Sequence, residues 1–351
     1  MNSLNTIAVY IGNNVIYWSS IVIVLGVMAG FCLAYSVYTA HSGRGSTMFA
    51  AFAFSLFFGV LISRLVHFYT HQQNYDGIMK ALFEYGGGSF FLPGAVLGVW
   101  IGAEIAHNLG FAESAAGIRD AFAPGMALTF ALIRLSSLFT SSCRGKMTVS
   151  KHSLQHLPLA SAVTTASGKV EYRFATFFIT FLLLLIAMIL LLVFYYRHHR
   201  DYMKSPCERE GHVFRLFLVL YGVIELVMDS TRNDSTFPYF TFFKTLNRFG
   251  SFVSLTQLFA AISILIVFIR YSKYSVAADG RKAKHWILWI LFTVSLTGVG
   301  LSEYFVQRHG DMYMICYAVM SACAVLMAGT VAVMYLFCRI LRKKETDEYE
   351  E

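Results

Sequence analysis

Charged residues are scarce in this chain of 351 residues: Asp, Glu, Lys and Arg make up 14% of it, whereas hydrophobic residues make up 57%. Because soluble domains carry about 25% charged residues, this composition excludes an ordinary soluble surface. Proline is also scarce, at five residues, and strand-like alternation is weak, which argues against a membrane β-barrel. Frequent apolar runs of about 20 residues instead favour helices that cross a bilayer.

Other absences exclude several kinds of site. The six cysteines form no CxxC pair and no regular spacing, so neither a disulfide framework nor a metal site is predicted, and no cofactor is expected. The net charge of +8 is not accompanied by a nucleic-acid module, so we assign it to loops that face anionic lipid heads and expect no nucleic-acid partner. Residues 1–17 lack Lys and Arg, and therefore lack the positive region of a cleavable signal peptide.

The apolar segments predict an all-α fold, a polytopic integral membrane bundle of about nine transmembrane helices. The predicted spans are residues 17–38, 47–69, 89–109, 121–140, 174–196, 213–230, 251–270, 286–305 and 314–340, of which the fourth and sixth are the least hydrophobic. Placing the N-terminus outside and the C-terminus in the cytoplasm puts most loop Lys and Arg on the cytoplasmic side, as the positive-inside rule requires.

The longest connection between predicted spans covers residues 141–173 and is itself basic. Its Ser, Thr, His and Gly residues are typical of a small cap or a partly mobile flap. They are equally typical of a solvated connector, and the sequence leaves both interpretations open.

Two arginines, Arg64 and Arg134, lie inside predicted spans. A charge near the bilayer centre costs at least ~3 kcal/mol on insertion scales, so it is rarely kept without a role or a partner. One interpretation is a structural ion-pair network with acidic residues of another span. The other is a lipid-phosphate site, because the guanidinium fork matches phosphate oxygens.

The acidic residues of that network are Glu225 and Asp229 in the sixth predicted span. Tyr221, Glu225, Asp229 and Arg232 follow one another at spacings of four, four and three residues. On a continuous helix these spacings place all four on one face, which we expect to look into the bundle.

The order and the amino-acid sequences of these segments resemble those of the prolipoprotein diacylglyceryl transferase family. The segments that carry the resemblance are the glycine-rich residues 84–98, residues 59–69 around Arg64, residues 120–134 with the following Gly145, residues 221–232, and the Val-Ser-Leu-Thr-Gln segment at residues 253–257. The resemblance covers about residues 18–271. We therefore predict a transferase-like seven-helix membrane domain over residues 1–271, followed by two additional transmembrane helices and a charged cytoplasmic tail over residues 272–351.

The family transfers the diacylglyceryl group of phosphatidylglycerol to a prolipoprotein cysteine thiol, forming a thioether and releasing glycerol phosphate. Such chemistry needs cations for the phosphate and a base for the thiol proton. The resemblance implies Arg134 as a catalytic residue, and His67 could substitute for a missing base. The residues implied in phospholipid binding are Arg64, Arg134, Ser137, Gly145, Tyr221, Glu225, Asp229, Arg232 and Gly94. The implied partners are a phosphatidylglycerol-like phospholipid and a prolipoprotein or another membrane protein, in the bacterial cytoplasmic membrane.

The departures from the family pattern bear on activity. The histidine of the glycine segment has no counterpart, since Phe91 or Pro93 stands there, and an arginine after the Tyr-Gly pair is replaced by Glu225. Ser137 replaces an asparagine, and an early tyrosine is approximately Ser19. Three hypotheses follow: a divergent transferase, a catalytically inactive homologue that binds phospholipid or a membrane partner, and a transporter with a charged gating network. No internal repeat supports the last.

Overall fold

Long apolar runs form helices because a helix satisfies its own backbone hydrogen bonds in a bilayer. The computed structural model describes residues 6–11, 14–41, 43–70, 77–83, 91–140, 142–155, 157–164, 168–202, 211–233, 253–279, 283–309 and 312–350. Its helices are α1 (Trp18–Thr39), α2 (Gly45–Thr70), α3 (Ile78–Phe83), α4 (Leu92–Asn108), α5 (Ala115–Ser136), α6 (His152–Gln155), α7 (Thr176–Tyr202), α8 (His212–Ser230), α9 (Leu255–Asp279), α10 (Ala283–His309) and α11 (Tyr313–Glu350). Strands β1 (Ile7–Ile11) and β2 (Asn14–Tyr17) form one antiparallel hairpin, and β3 (Ala160–Thr164) and β4 (Val170–Phe174) form another.

The prediction of a polytopic helical membrane protein is confirmed. Each of the nine predicted spans coincides with a long helix, and seven helices of the described residues are long and apolar enough to cross a membrane. The other two long helices are α4, with 17 residues, and α8, with 19 residues and three charged side chains. At 1.5 Å per residue, α4 is only about 25 Å long, near the lower limit for a spanning helix.

The chain divides into two compact units. The first contains Met1–Lys204, Glu210–Phe217 and Thr231–Pro238; the second contains Ser205–Arg209, Leu218–Ser230 and Tyr239–Glu351. Helix α8 therefore contributes its first residues to one unit and the remainder to the other. The predicted division at residue 271 concerns family likeness rather than compactness, and it stays a prediction.

Small residues bring α2 and α4 into close contact in the first unit. A Cβ atom added to Gly94 would lie 2.8 Å from the Ser63 backbone nitrogen, and one added to Gly98 would lie 2.5 Å from the Gly59 Cα. Contacts therefore move backwards along α2 as α4 advances, so the two helices are antiparallel. Such small-xxx-small spacing is the usual device for close helix packing in membranes, where apolar burial alone favours no particular partner.

Helix α1 is packed in the same way against α5. A Cβ atom on Gly30 would lie 2.5 Å from the Gly125 carbonyl oxygen, and the Thr129 hydroxyl donates to the Gly26 carbonyl at 3.2 Å. These contacts also run in opposite directions along the two helices. Helix α1 is also antiparallel to α2, since Phe31 contacts Phe52 with ring centroids 4.2 Å apart and Tyr35 contacts the earlier Phe49 at 5.6 Å. Helices α2 and α5 therefore point the same way.

The basic connection between α5 and α7 is a folded cap. Strands β3 and β4 pair in register from Ala160 opposite Phe174 to Thr164 opposite Val170. The chain at residues 145–149 lies along the other edge of β4, since the Gly145 N–H donates to the Phe174 carbonyl and the Val149 N–H to the Tyr172 carbonyl. The structure therefore favours the cap over the solvated connector, and we refer to the described residues of this connection (140, 142–155, 157–164 and 168–175) as the cap segment.

The second unit packs α9, α10 and α11 around aromatic contacts. Phe268 of α9 stacks on Phe292 of α10 with ring centroids 4.4 Å apart. Cys338 of α11 donates to the Tyr271 carbonyl at 3.1 Å. The two helices beyond the family-like region are thus packed on α9.

Candidate functional site

Arg134 lies in the last turn of α5, directly beneath the cap segment, and is 7% exposed. Its guanidinium donates to the Cys143 thiol sulfur at 3.2 Å. Cys143 is itself buried and adopts a positive φ of 55°, which turns the chain back over the helix end. A charged side chain is therefore enclosed at the end of a membrane-length helix rather than extended into water.

A second guanidinium closes the end of α5. Arg144 donates to the Thr140 carbonyl at 2.8 Å, to the Ser137 carbonyl at 3.5 Å and to the Ser161 hydroxyl. It also lies over the Phe177 ring, 4.8 Å from its centroid. Burial lowers the pKa of the Arg144 guanidinium below its ordinary value, against the opposing effect of the neighbouring Cys143.

Arg232 is brought to the same region by its backbone. Gly145 forms an antiparallel bridge with Arg232, and the Lys146 N–H donates to the Thr231 carbonyl at 2.8 Å. Gly145 is required here, because a Cβ atom would lie 2.7 Å from the Phe174 carbonyl oxygen. Arg232 is buried.

The predicted helix face is wrong for Arg232. Helix α8 ends at Ser230; Thr231 is in a turn, and Arg232 forms an isolated β-bridge. The physical reason is the bridge to the cap segment: it uses the backbone hydrogen-bonding groups of residues 231–233 that would otherwise continue the helix. Tertiary pairing has overridden the helical spacing.

Arg64 and His67 lie one turn apart on α2, and both are buried. Since α2 and α5 point the same way, Arg64 lies towards the same end of the bundle as Arg134. Gly94, predicted as a binding residue, lies in the first turn of α4 and packs against Ser63, whose hydroxyl donates to the Phe91 carbonyl at 2.8 Å. Its observed contact is with the residue preceding Arg64.

Ser137, at the end of α5, belongs to the Arg134 region. Its hydroxyl accepts a hydrogen bond from Ser142 at 3.4 Å, and its carbonyl accepts from Arg144. The first unit thus gathers Arg134, Ser137, Gly145 and Arg232 at the cap segment.

Tyr221, Glu225 and Asp229 belong to the second unit, where all three are buried on one face of α8. Asp229 accepts a hydrogen bond from the Ser254 hydroxyl at 2.5 Å. Ser254 and Gln257 in turn form a capping box at the start of α9, since each side chain accepts from the backbone N–H of the other at 3.0 Å. The Ser-Leu-Thr-Gln turn therefore begins a helix and holds Asp229.

Cys143 and Arg144 were not predicted as site residues from the sequence. Both precede Gly145 in the basic connection, and the adjacent Ser-Cys-Arg-Gly run contained a cation beside a residue already proposed. The signal was present, but nothing local predicts that the chain would turn back at Cys143 and bring Arg144 onto the end of α5.

Chemically, this arrangement suits an anion that gains charge. Guanidinium groups held in a water-poor region stabilise developing negative charge more strongly than solvated ones, because they need no reorganisation. Among the described residues no cluster of His, Cys, Asp and Glu could hold a metal ion.

Known proteins resemble this chain over the same region. The model of the family described as prolipoprotein diacylglyceryl transferase matches residues 6–267. One curated relative, the phosphatidylglycerol–prolipoprotein diacylglyceryl transferase of Paenarthrobacter aurescens (strain TC1), is 28% identical over 238 residues, which cover 65% of this chain and 72% of the relative. Since the family match extends over more than half of a multi-pass membrane chain, this protein belongs to the prolipoprotein diacylglyceryl transferase family.

Proposed function

We propose that this protein is a divergent phosphatidylglycerol–prolipoprotein diacylglyceryl transferase, which moves a diacylglyceryl group from a phospholipid to an acceptor thiol. The observation that carries the proposal is the buried guanidinium of Arg134 at the capped end of α5, in a chain of this family. We place the protein in the bacterial cytoplasmic membrane, with its N-terminus outside and its C-terminus in the cytoplasm.

The proposed reaction breaks one carbon–oxygen bond and forms one carbon–sulfur bond. The acceptor thiolate attacks the glycerol carbon that carries the phosphodiester oxygen, and glycerol phosphate leaves with the bonding electrons. The leaving phosphate thereby gains negative charge. Arg134 and Arg64 are proposed to bind the phosphate and to stabilise that charge, because a planar guanidinium can bind two of its oxygens at once.

His67 is proposed as the base that takes the thiol proton, since it lies one turn from Arg64. Thiolate, rather than thiol, is the nucleophile, so a base within reach of the acceptor is required. Ser137, Gly145 and Arg232 are proposed to shape the phospholipid site beside Arg134. Gly94, Tyr221, Glu225 and Asp229 stay predicted phospholipid-binding residues on the family resemblance alone.

Expression in a bacterial strain depleted of its own transferase tests the proposal. We expect rescue of growth, a mass increase of a reporter prolipoprotein, and transfer of labelled lipid from phosphatidylglycerol in membranes. A folded, membrane-inserted protein that gives neither rescue nor labelled product would overturn it. Reporter fusions at both termini test the proposed orientation separately.

A catalytically inactive homologue that binds phospholipid or a membrane partner is the second candidate. Glu225 favours it: this carboxyl side chain is 0% exposed, and the family resemblance places an arginine at that position. An ionised carboxylate would oppose a phosphate. Retention of phosphatidylglycerol by the purified protein, measured by mass spectrometry, together with no transfer in the assay above, would support this candidate.

A further inference from the structure

Arg144 connects the two chain segments that carry Arg134 and Arg232. Its side chain reaches the 3-10 turn Ser137–Phe139 that directly follows α5, where the Ser137 and Thr140 carbonyls accept from its Nη2 atom at 3.5 and 2.8 Å. Carbonyl groups near the carboxyl end of a helix carry its partial negative charge, which favours a cation there. Arg144 therefore closes the turn that follows Arg134.

The same guanidinium reaches two other parts of the cap segment and its surroundings. Its Nη1 atom donates to the Ser161 hydroxyl on β3, and its Cζ atom lies 4.8 Å from the centre of the Phe177 ring on α7. A planar group with several donors can make these contacts simultaneously, whereas an ammonium group cannot. One side chain thus links α5, β3 and α7.

The backbone of Arg144 supplies the second connection. Its carbonyl accepts from the Asn233 N–H at 2.8 Å, on one side of the bridge between Gly145 and Arg232. Displacing residue 144 would consequently disturb the extended segment at Arg232 as well as the end of α5.

We infer that Arg144 is a positioning residue, which holds Arg134 and Arg232 in the geometry that a lipid phosphate requires without contacting the phosphate itself. The inference rests on the proposed function for its kinetic consequence. Its structural part, that Arg144 holds the cap segment against the end of α5, can be tested even if transfer is absent.

The test compares Arg144→Gln with Arg173→Gln in the full-length protein. Arg173 is a matched control, because it lies in the same cap on β4, loses the same charge, and has Glu171 as its ion-pair partner at 3.2 Å. Arg144→Lys adds a conservative variant that keeps the charge but loses the planar fork.

In kinetics with phosphatidylglycerol, Arg144→Gln is expected to lower kcat about a hundredfold, because small displacements of catalytic groups cost that much. The KM is expected to change much less, and Arg144→Lys should recover only part of kcat. The control should resemble wild type. A rise in KM that matches the whole loss in kcat/KM would instead indicate direct lipid contact and overturn the inference. Equal kcat losses in Arg144→Gln and the control would also overturn it.

A second readout does not depend on transfer. Cys143 is 5% exposed and accepts from Arg134, so its alkylation by a maleimide reports the packing of the cap on α5. We expect faster labelling of the Cys143 peptide, measured by mass spectrometry, in Arg144→Gln than in Arg173→Gln. Unchanged labelling would overturn the inference, whereas an inactive wild type with accelerated labelling would leave it standing and reject the proposed function.

Discussion

The two ends of α5 hold the same residue type in opposite circumstances. Near the start of the helix, Arg119 forms an ion pair with Glu104, whose side chain is 42% exposed, and lies over the Trp100 ring at 5.2 Å. Near the end, Arg134 is buried beneath the cap segment and donates to a thiol. Arg134 follows Arg119 by fifteen positions in the same helix.

The difference shows that burial and surroundings, rather than residue type, distinguish a candidate site. A partly exposed ion pair contributes little free energy, because water already stabilises both charges. An enclosed guanidinium has lost that solvation, and its surroundings must compensate. Only the capped end of α5 therefore has the properties of an anion site.

The largest effect is expected from substituting Arg134 at the capped end of α5. Arg134→Ala should abolish detectable lipid transfer, a loss of at least about a hundredfold, and Arg134→Lys should leave little, because an ammonium cannot supply the bidentate fork. Labelled-lipid transfer in membranes measures both. Arg119→Ala is the control on the same helix. Unchanged activity in both Arg134 variants would reject the phosphate site.

The next effect concerns the packing that places Arg64 at this end. Gly98→Ala puts a Cβ atom 2.5 Å from the Gly59 Cα, and should destabilise the protein by about 1–3 kcal/mol through overpacking. Denaturant titration in detergent measures it. Gly329→Ala is the control, since nothing lies within 4 Å of that position. Equal effects of the two changes would contradict close packing of α2 on α4.

A smaller effect is expected from the polar contacts at the start of α9 in the second unit. Ser254→Ala removes a helix cap and a donor to Asp229, and should lower the free energy of unfolding by about 1–2 kcal/mol. Ser36→Ala is the control, because that exposed hydroxyl bonds only to a carbonyl of its own helix at 2.8 Å. A Ser254 variant as stable as the control would argue against the capping box.

The smallest effect belongs to the start of α5. Arg119→Ala should cost less than about 1 kcal/mol of stability and leave lipid transfer near the wild-type level, because its partner is partly exposed. Denaturation at low and high salt, together with the transfer assay, measures both quantities. A loss of transfer as large as that of Arg134→Ala would remove the distinction between the two ends.

Much of this protein was predictable from local patterns. The length of the apolar runs predicted the nine long helices found among the described residues, and the cost of a charge in the membrane singled out Arg64 and Arg134. The four-residue spacing of Tyr221, Glu225 and Asp229 correctly placed them on one helix face, and all three are buried. Each of these features depends on composition or on a helical period, which the sequence displays directly.

The errors and omissions have a common physical cause. Arg232 does not lie on the predicted helix face, because its backbone pairs with Gly145, which lies 87 residues earlier in the chain. The β1–β2 and β3–β4 hairpins were not predicted, because each of their strands is only four or five residues long. Contacts between distant segments leave no local period in a sequence.

The amino-acid sequence by itself therefore determined the membrane class, the positions of the helices, the family likeness and the two intramembrane cations. Only the tertiary structure decided that the basic connection is a cap, that Cys143 and Arg144 meet the end of α5, and that Arg232 lies in an extended bridge. The reason is that hydropathy and helical spacing are properties of one continuous segment. The cap is instead held by hydrogen bonds between segments that meet only once the helices have packed.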